Sequence, residues 1–196
     1  MKVKQNSERL NRFLSAVVPE HPLSEESMEY FSVLDRKDKE RIFSEGETVS
    51  DVHFLLSGIG RYFYLDAEGV ERNKSLVRAG GAFTSISSIV EGNPSPLYAE
   101  TINPCITASV PYSKLVELSE HDLFWATFIR RIYEKLVLKK ERREAELLML
   151  DAKTRYQNFL VEFGDESTQI PLRHVAMYLG ITDVTLSRIR RDMGLT

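Results

Sequence analysis

Two short apolar stripes at helical spacing follow each other closely near the C-terminal end of the chain. The first ends at Leu179 and is followed directly by Gly180, a residue type that readily takes the left-handed conformation found at helix ends. The second begins after Thr182, a suitable N-cap, and has Leu186 and Ile189 on one face. This order predicts a helix-turn-helix, whose second helix enters the major groove of DNA. The alternative is an αα-hairpin inside a core.

Upstream, the pattern predicts two helices followed by short strands. Residues 7–18 and 24–34 have apolar positions at helical spacing, with Ser24 as a cap and Glu25 and Glu26 in the first turn of the second helix. Beyond them, glycine-containing turns separate short runs of aromatic and β-branched residues. Many short strands bounded by turn residues indicate an antiparallel jelly-roll barrel.

One long helix is predicted over 119–150, because this segment contains no glycine or proline and Ser119 can cap it. Its apolar residues recur at three- and four-residue steps from Trp125 to Leu150. A helix of about 30 residues is roughly 45 Å long, which is more than the barrel can cover. Much of its apolar face therefore needs another partner. The apolar pattern of 151–164 predicts a further helix before the helix-turn-helix.

The segment IPLRHVAMYLGITDVTLSRIRR, with its YLGIT and TLSRIR strings, resembles the helix-turn-helix of the Crp/Fnr family of bacterial transcription regulators. The resemblance extends upstream to about Ser24 and implies an α+β fold. Its three parts would be a cyclic-nucleotide-binding-like jelly-roll sensor domain with N-terminal helices in 1–118, a long dimerisation helix in 119–150, and a helix-turn-helix DNA-binding domain in 151–196.

The same resemblance assigns roles on the second helix of the motif. Asp183, Val184 and Arg188 take the positions whose side chains reach base edges, and Arg188 can pair with both major-groove acceptors of guanine. Other residues on this face or near it are expected to contact phosphates: Thr182, Thr185, Ser187, Arg173 and Arg191. Three arginines in the last helix, at positions 188, 190 and 191, would concentrate positive charge at the groove.

Family members act as dimers through the long helix, so the resemblance implies that Phe128, Ile132 and Leu136 pack against a second copy of the chain. Two recognition helices about 34 Å apart would then read a palindromic site on double-stranded DNA. RNA polymerase is a further partner that the resemblance implies. The residues after the recognition helix, 193–196, depart from the family, because they leave no room for the β-hairpin wing that its members often carry there.

Cyclic-AMP binders of this family hold the nucleotide with a short segment called the phosphate cassette. The corresponding segment of this chain differs from it. Aligning GGAFTSISSIVEGNPSPLYAET with the cassette puts Ser85 at the position of the ribose-binding glutamate and Leu97 at the position of the phosphate-binding arginine. A leucine cannot neutralise a buried phosphate. We therefore predict that the barrel does not bind cyclic AMP in the usual way and takes another small molecule or none. A shifted alignment that uses Arg78 is the alternative.

The residues expected to line a ligand pocket in the barrel are Gly81, Phe83, Ser85, Leu97 and Tyr98. No cofactor is expected, because the chain offers no recognisable ligand set. The four histidines, at positions 21, 53, 121 and 174, lack metal-ligand or triad spacing, and the single cysteine, Cys105, excludes a disulfide within one chain.

Composition narrows the class of protein. A formal net charge of −3 places any basic surface in a local patch. No apolar run approaches the roughly 20 residues of a membrane span, and the N-terminal residues lack a signal-peptide core. We therefore expect a cytoplasmic protein that is neither an enzyme nor a membrane protein.

Two functions are consistent with these features. The first is a homodimeric, sequence-specific DNA-binding transcription regulator with a divergent sensor barrel. The second is a small-molecule-binding signalling or interaction module whose helix-turn-helix makes protein contacts. The arginine-rich last helix favours the first.

Overall fold

The computed structural model describes residues 2–24 and 26–195, with side chains from residue 5 onwards. Glu25, expected in the first turn of a helix, and Thr196, the last residue of the predicted DNA-binding domain, lie outside the described residues. Within the described part of the chain, no helix is long and apolar enough to cross a membrane.

Two antiparallel four-stranded sheets form the barrel. The strands are β1 (Ser32–Arg36), β2 (Arg41–Phe43), β3 (Asp51–Ser57), β4 (Ile59–Leu65), β5 (Glu71–Arg78), β6 (Ala82–Phe83), β7 (Tyr98–Thr101) and β8 (Cys105–Pro111). Their order is β1-β8-β3-β6 in one sheet and β2-β7-β4-β5 in the other. Phe43, Leu55, Phe83 and Ala99 are buried in one cluster of the barrel core. The predicted jelly-roll barrel is confirmed.

The helices are α1 (Lys2–Val17), α2 (Ile86–Glu91), α3 (Tyr112–His121), α4 (Leu123–Met149), α5 (Ala152–Phe163), α6 (Leu172–Leu179) and α7 (Asp183–Asp192). Short 3-10 helices lie at Glu26–Tyr30 and Gly164–Gln169. The first predicted helix is confirmed by α1, which buries Leu10 and Leu14 in a cluster that also contains Phe54 and Phe128. The fold is α+β, as predicted.

The prediction of a helix over 24–34 is wrong. Its residues form only one 3-10 turn, and β1 then pairs with β8 from Ser32↔Ser109 to Arg36↔Cys105. The apolar positions are used differently, since Phe31 stacks on Trp125 at a ring-centroid distance of 5.6 Å. Pairing with a strand 69 to 77 residues away overrides the local helical pattern, because that pairing supplies both backbone partners and burial.

The predicted long helix is interrupted at Asp122, so it consists of α3 and α4. Asp122 has an extended backbone, φ −134° and ψ 121°, and its carboxylate accepts a hydrogen bond from the Phe124 amide at 2.8 Å. Ser119, the predicted cap, instead donates its hydroxyl to the Val116 carbonyl within α3. An aspartate can end one helix and begin another because its side chain competes for backbone amides.

The C-terminal helices pack on the barrel. Ile59 and Leu76 of the barrel share a buried cluster with residues of α5, α6 and α7. At the edge of this contact, the side-chain amide of Asn73 donates to the His174 carbonyl at 3.0 Å, and Arg78 forms an ion pair with Glu166 at 2.9 Å. The helix-turn-helix is therefore held against the barrel of its own chain.

Candidate nucleic-acid interface and ligand cavity

The turn between α6 and α7 has the geometry that the sequence predicts. Gly180 is left-handed, with φ 68°, and its amide donates to the carbonyls of Ala176 and Met177. A side chain at this backbone conformation would be strained. Ala176 is fully buried, which lets the two helices of the motif cross closely. The helix-turn-helix prediction is confirmed.

The start of α7 is fixed by Thr182. Its hydroxyl oxygen accepts a hydrogen bond from the Thr185 amide at 3.2 Å, and the two threonine hydroxyls lie 2.9 Å apart. The free amides of the first turn and the positive end of the helix dipole lie beside these hydroxyls. This end of α7 can therefore accept a phosphate oxygen.

One face of α7 is buried and the other is open. Leu186 and Ile189 are 1% and 9% exposed and hold the helix against α5 and α6. The predicted base-reading side chains lie on the opposite side, where Val184 is 60% exposed. The residues exposed with it are Asp183, Ser187, Arg188 and Arg191, and Arg173 is exposed on α6. The predicted base-reading residues of α7 are therefore exposed to solvent.

Arg190 does not belong to this surface, although the sequence counts it among the groove arginines. Its guanidinium turns inward, where it donates to the Tyr156 hydroxyl at 2.7 Å and to the Leu195 carbonyl at 2.8 Å. Positive charge on the open face of α7 therefore comes from Arg188 and Arg191. Arg190 instead ties the last helix to α5.

A buried polar cluster that the sequence does not reveal supports α6 from the barrel side. Arg61 of β4 is 1% exposed and contacts Glu100, Glu71 and Asn73. Asn73 in turn binds the backbone of His174. These residues are spread over three strands and one helix, so no local spacing connects them. In β5, Glu71 and Asn73 stand in a run of polar residues, so the sequence does not mark them as members of a buried cluster.

His174 is buried beside this cluster and is held neutral. Desolvation, with a smaller contribution from the nearby Arg61 guanidinium, lowers the pKa of His174 from its ordinary value of 6.5 to about 4. An unfolded chain takes up a proton at this histidine near pH 6.5, whereas the folded chain does so only near pH 4. Its contribution to stability is therefore complete above pH 6.5 and is lost as the pH falls towards 4.

We expect the His174→Gln variant to lose part of the acid sensitivity of the protein. Glutamine keeps a polar side chain but has no titrating imidazole. The melting temperature of the variant should therefore fall less than that of the parent between pH 7 and pH 4.5. Thermal melts followed by circular dichroism at several pH values measure this slope. The exposed His121→Gln variant is the matched control, and an unchanged slope for His174→Gln would contradict the expectation.

A cavity of about 330 Å³ lies between the barrel and α4. Of the residues predicted to line a ligand pocket, Gly81, Ser85 and Leu97 border this cavity. Phe83 and Tyr98 do not. Phe83 is fully buried inside the barrel against Tyr62, and Tyr98 stacks on Phe63 at 5.0 Å, so neither ring is available to a molecule in the cavity.

The two cassette positions have structural roles. Ser85 is at the N-terminal end of α2, with its hydroxyl 3.1 Å from that of Ser87. Leu97 is 4% exposed and packs in the barrel core. Arg78, the alternative phosphate ligand, is engaged elsewhere: its guanidinium binds the Glu162 carbonyl and Glu166 of the C-terminal region.

The predicted dimer residues are only partly available to a second copy. Phe128 is fully buried and Ile132 packs against the same cluster, so both face the barrel of their own chain. The prediction that Phe128 contacts a partner is wrong, because the core of the barrel needs that ring. Leu136 is 38% exposed. The more exposed apolar residues of α4 are Val137, Leu138, Leu148 and Met149.

Comparison with known proteins identifies the fold. Neither a family model nor a curated protein matches the sequence. The structure is similar to FixK2 from Bradyrhizobium japonicum, with a TM-score of 0.71, 22% identity and 84% of each chain covered. It is also similar to a variant of CooA from Carboxydothermus hydrogenoformans, with a TM-score of 0.70, 15% identity, and coverage of 92% of this chain and 84% of that one.

A third similar structure is CLP from Xanthomonas campestris, described as a c-di-GMP responsive global regulator. Its TM-score is 0.67 at 15% identity, with 85% of this chain and 88% of that chain covered. These neighbours are regulators of the Crp/Fnr type. The architecture that the sequence resemblance implies, a cyclic-nucleotide-binding-like barrel followed by a helix-turn-helix, is therefore confirmed at the level of the fold.

Proposed function

We propose that this chain is a sequence-specific DNA-binding transcription regulator of the Crp/Fnr type, and not an enzyme. The observation that carries the proposal is the open face of α7. Its apolar side is buried by Leu186 and Ile189, while Asp183, Arg188 and Arg191 are left in solvent at the tip of a helix-turn-helix. The shared fold of three regulators supports the same reading.

Within this function, Arg188 is the principal base-reading residue. Its guanidinium is exposed on the face of α7 that is turned away from the core, and it can bind the two major-groove acceptors of a guanine. Asp183 and Val184 select neighbouring bases from the first turn of the same helix. Phosphates are bound by Thr182, Thr185, Ser187, Arg173 and Arg191.

The protein acts as a homodimer, with double-stranded DNA carrying a palindromic site as its partner. The support is the second half of α4, where Val137, Leu138 and Leu148 are 58%, 60% and 76% exposed. Apolar side chains of this number on one helix are typical of an interface with another helix. RNA polymerase is a further proposed partner, and the cytoplasm is the proposed location.

The barrel does not bind cyclic AMP in the usual way, and no cofactor is proposed for it. The support is the chemistry of the cassette: Leu97 packs in the barrel core, and Arg78 binds Glu162 and Glu166. Neither can supply the fixed cation that a buried cyclic phosphate requires.

Selection from random duplex DNA tests the function. We expect the purified protein to enrich a palindromic consensus whose half-sites are about 10 base pairs apart, centre to centre. The affinity for that consensus should fall steeply with salt concentration, because phosphate contacts release counterions. No enrichment, both alone and with cell extract as a source of ligand, would contradict the proposal and favour an interaction module whose helix-turn-helix contacts protein.

A further inference from the structure

The cavity between the barrel and α4 is large enough for a small organic molecule. Its volume of about 330 Å³ is within the range of ligand pockets. Most of the wall is apolar, with Phe54 and Leu97 from the barrel side and Phe128, Ile132 and Leu136 from α4. A ligand with an apolar body would bury that body here.

The charged residues of this cavity all have the same sign. Four lysines border it, Lys74 from β5 and Lys135, Lys139 and Lys140 from α4. The described residues that line the cavity include no aspartate or glutamate. Lys139 has a protein partner, since its ammonium donates to the Leu76 carbonyl at 2.7 Å. The other three form no ion pair within the described part of the chain.

Lys74 is the least exposed of these three lysines. Its ammonium lies 5.4 Å from the centre of the Tyr62 ring and has no carboxylate beside it among the described residues. Desolvation lowers the pKa of Lys74, and repulsion from Lys140 lowers it further. Both effects disfavour the charged form. An anion in the cavity would offset them by supplying the missing opposite charge.

We propose that this cavity binds a small organic anion, with a carboxylate or similar monoanionic head at Lys74 and Lys140 and an apolar body against Ile132 and Leu136. A free phosphate fits less well, because it has no apolar body to cover the apolar part of the wall. The effector role of the ligand rests on the proposed function, whereas the binding itself does not require DNA.

The test uses two fluorescent dyes that differ in one charge. Anilinonaphthalene sulfonate has an aromatic body and a single anionic group, and N-phenylnaphthylamine has the same body without the charge. We expect the full-length protein to bind the sulfonate at least about 10-fold more tightly than the neutral dye, the effect of one charge-assisted contact. Decanoate should displace the sulfonate, and decanol and cyclic AMP should not.

Substitution of the lysine identifies the site. Lys74→Met should weaken binding of the sulfonate by about 10-fold or more, and Lys74→Arg, which keeps the charge, should retain most of it. The exposed Lys153→Met variant is the matched control and should bind like the parent. Circular dichroism confirms that each variant is folded.

The proposal would be overturned if neither anion bound, if the two dyes bound equally, or if Lys74→Met bound the sulfonate as tightly as Lys153→Met. These outcomes are independent of DNA binding. If no DNA sequence were selected while the dyes bound as expected, the proposed function would be contradicted and the anion site would still be supported. If a palindromic consensus were selected but the dye experiment failed, only the proposal of the anion site would be contradicted.

Discussion

Replacing Arg188 with alanine is expected to abolish sequence preference in DNA binding. The side chain is exposed on the open face of α7, so its loss leaves the fold intact. One bidentate contact to guanine contributes about 1–3 kcal/mol of discrimination, and a dimer makes two such contacts. The affinity for the selected palindrome should therefore fall by about 2–6 kcal/mol, while the affinity for random DNA should change little.

Competition binding with the selected site and with a scrambled duplex measures this difference. Arg12→Ala is the matched control, because Arg12 is an exposed arginine on α1, away from the helix-turn-helix. It should bind both duplexes like the parent. If Arg188→Ala weakened both duplexes equally, Arg188 would be a phosphate contact and another residue would read the base.

The Arg61→Met variant is expected to lose more stability than any other single substitution discussed for this protein. Arg61 is 1% exposed, donates through Nε to Glu100 at 2.8 Å and through Nη1 to Asn73 at 2.9 Å, and pairs with Glu71 at 2.7 Å. Methionine fills similar space but leaves Glu100 buried with only Arg41, at 3.4 Å. Removing one partner of a buried ion pair costs about 3–5 kcal/mol, so we expect the free energy of unfolding to fall by this amount.

Urea denaturation followed by circular dichroism measures the change. The control is Arg72→Met, since the Arg72–Asp66 pair is exposed and exposed ion pairs contribute little to stability. The Arg61→Met/Glu100→Gln double variant should recover part of the loss, because it no longer buries an unpaired carboxylate. A loss under 1 kcal/mol for Arg61→Met would show that the network does not stabilise the fold.

The parts of the structure that the sequence predicts are those determined by nearby residues. The turn at Gly180 and the cap at Thr182 depend on a few neighbouring positions, and both are found as expected. Glycine-containing turns between short strands are also found as predicted, since β3 ends and β4 begins on either side of Gly58.

The predictions that failed depend on partners far along the chain. Ser32–Arg36 is a strand because β8 lies beside it. Phe128 is assigned to the wrong surface because a helical stripe does not reveal whether it faces its own barrel or another chain. Arg190 was counted with the groove arginines, but Tyr156, 34 residues away, binds it.

The docking of the helix-turn-helix on the barrel makes the two regions thermodynamically dependent. Ile59 and Leu76 are buried by α5, α6 and α7, and the Asn73 amide loses its acceptor if α6 moves away. The barrel would then expose apolar surface and an unsatisfied amide, which lowers its own stability. We therefore expect the two regions to unfold as one cooperative unit, and we expect any rearrangement that moves α7 away from the barrel to replace these contacts with others of similar free energy.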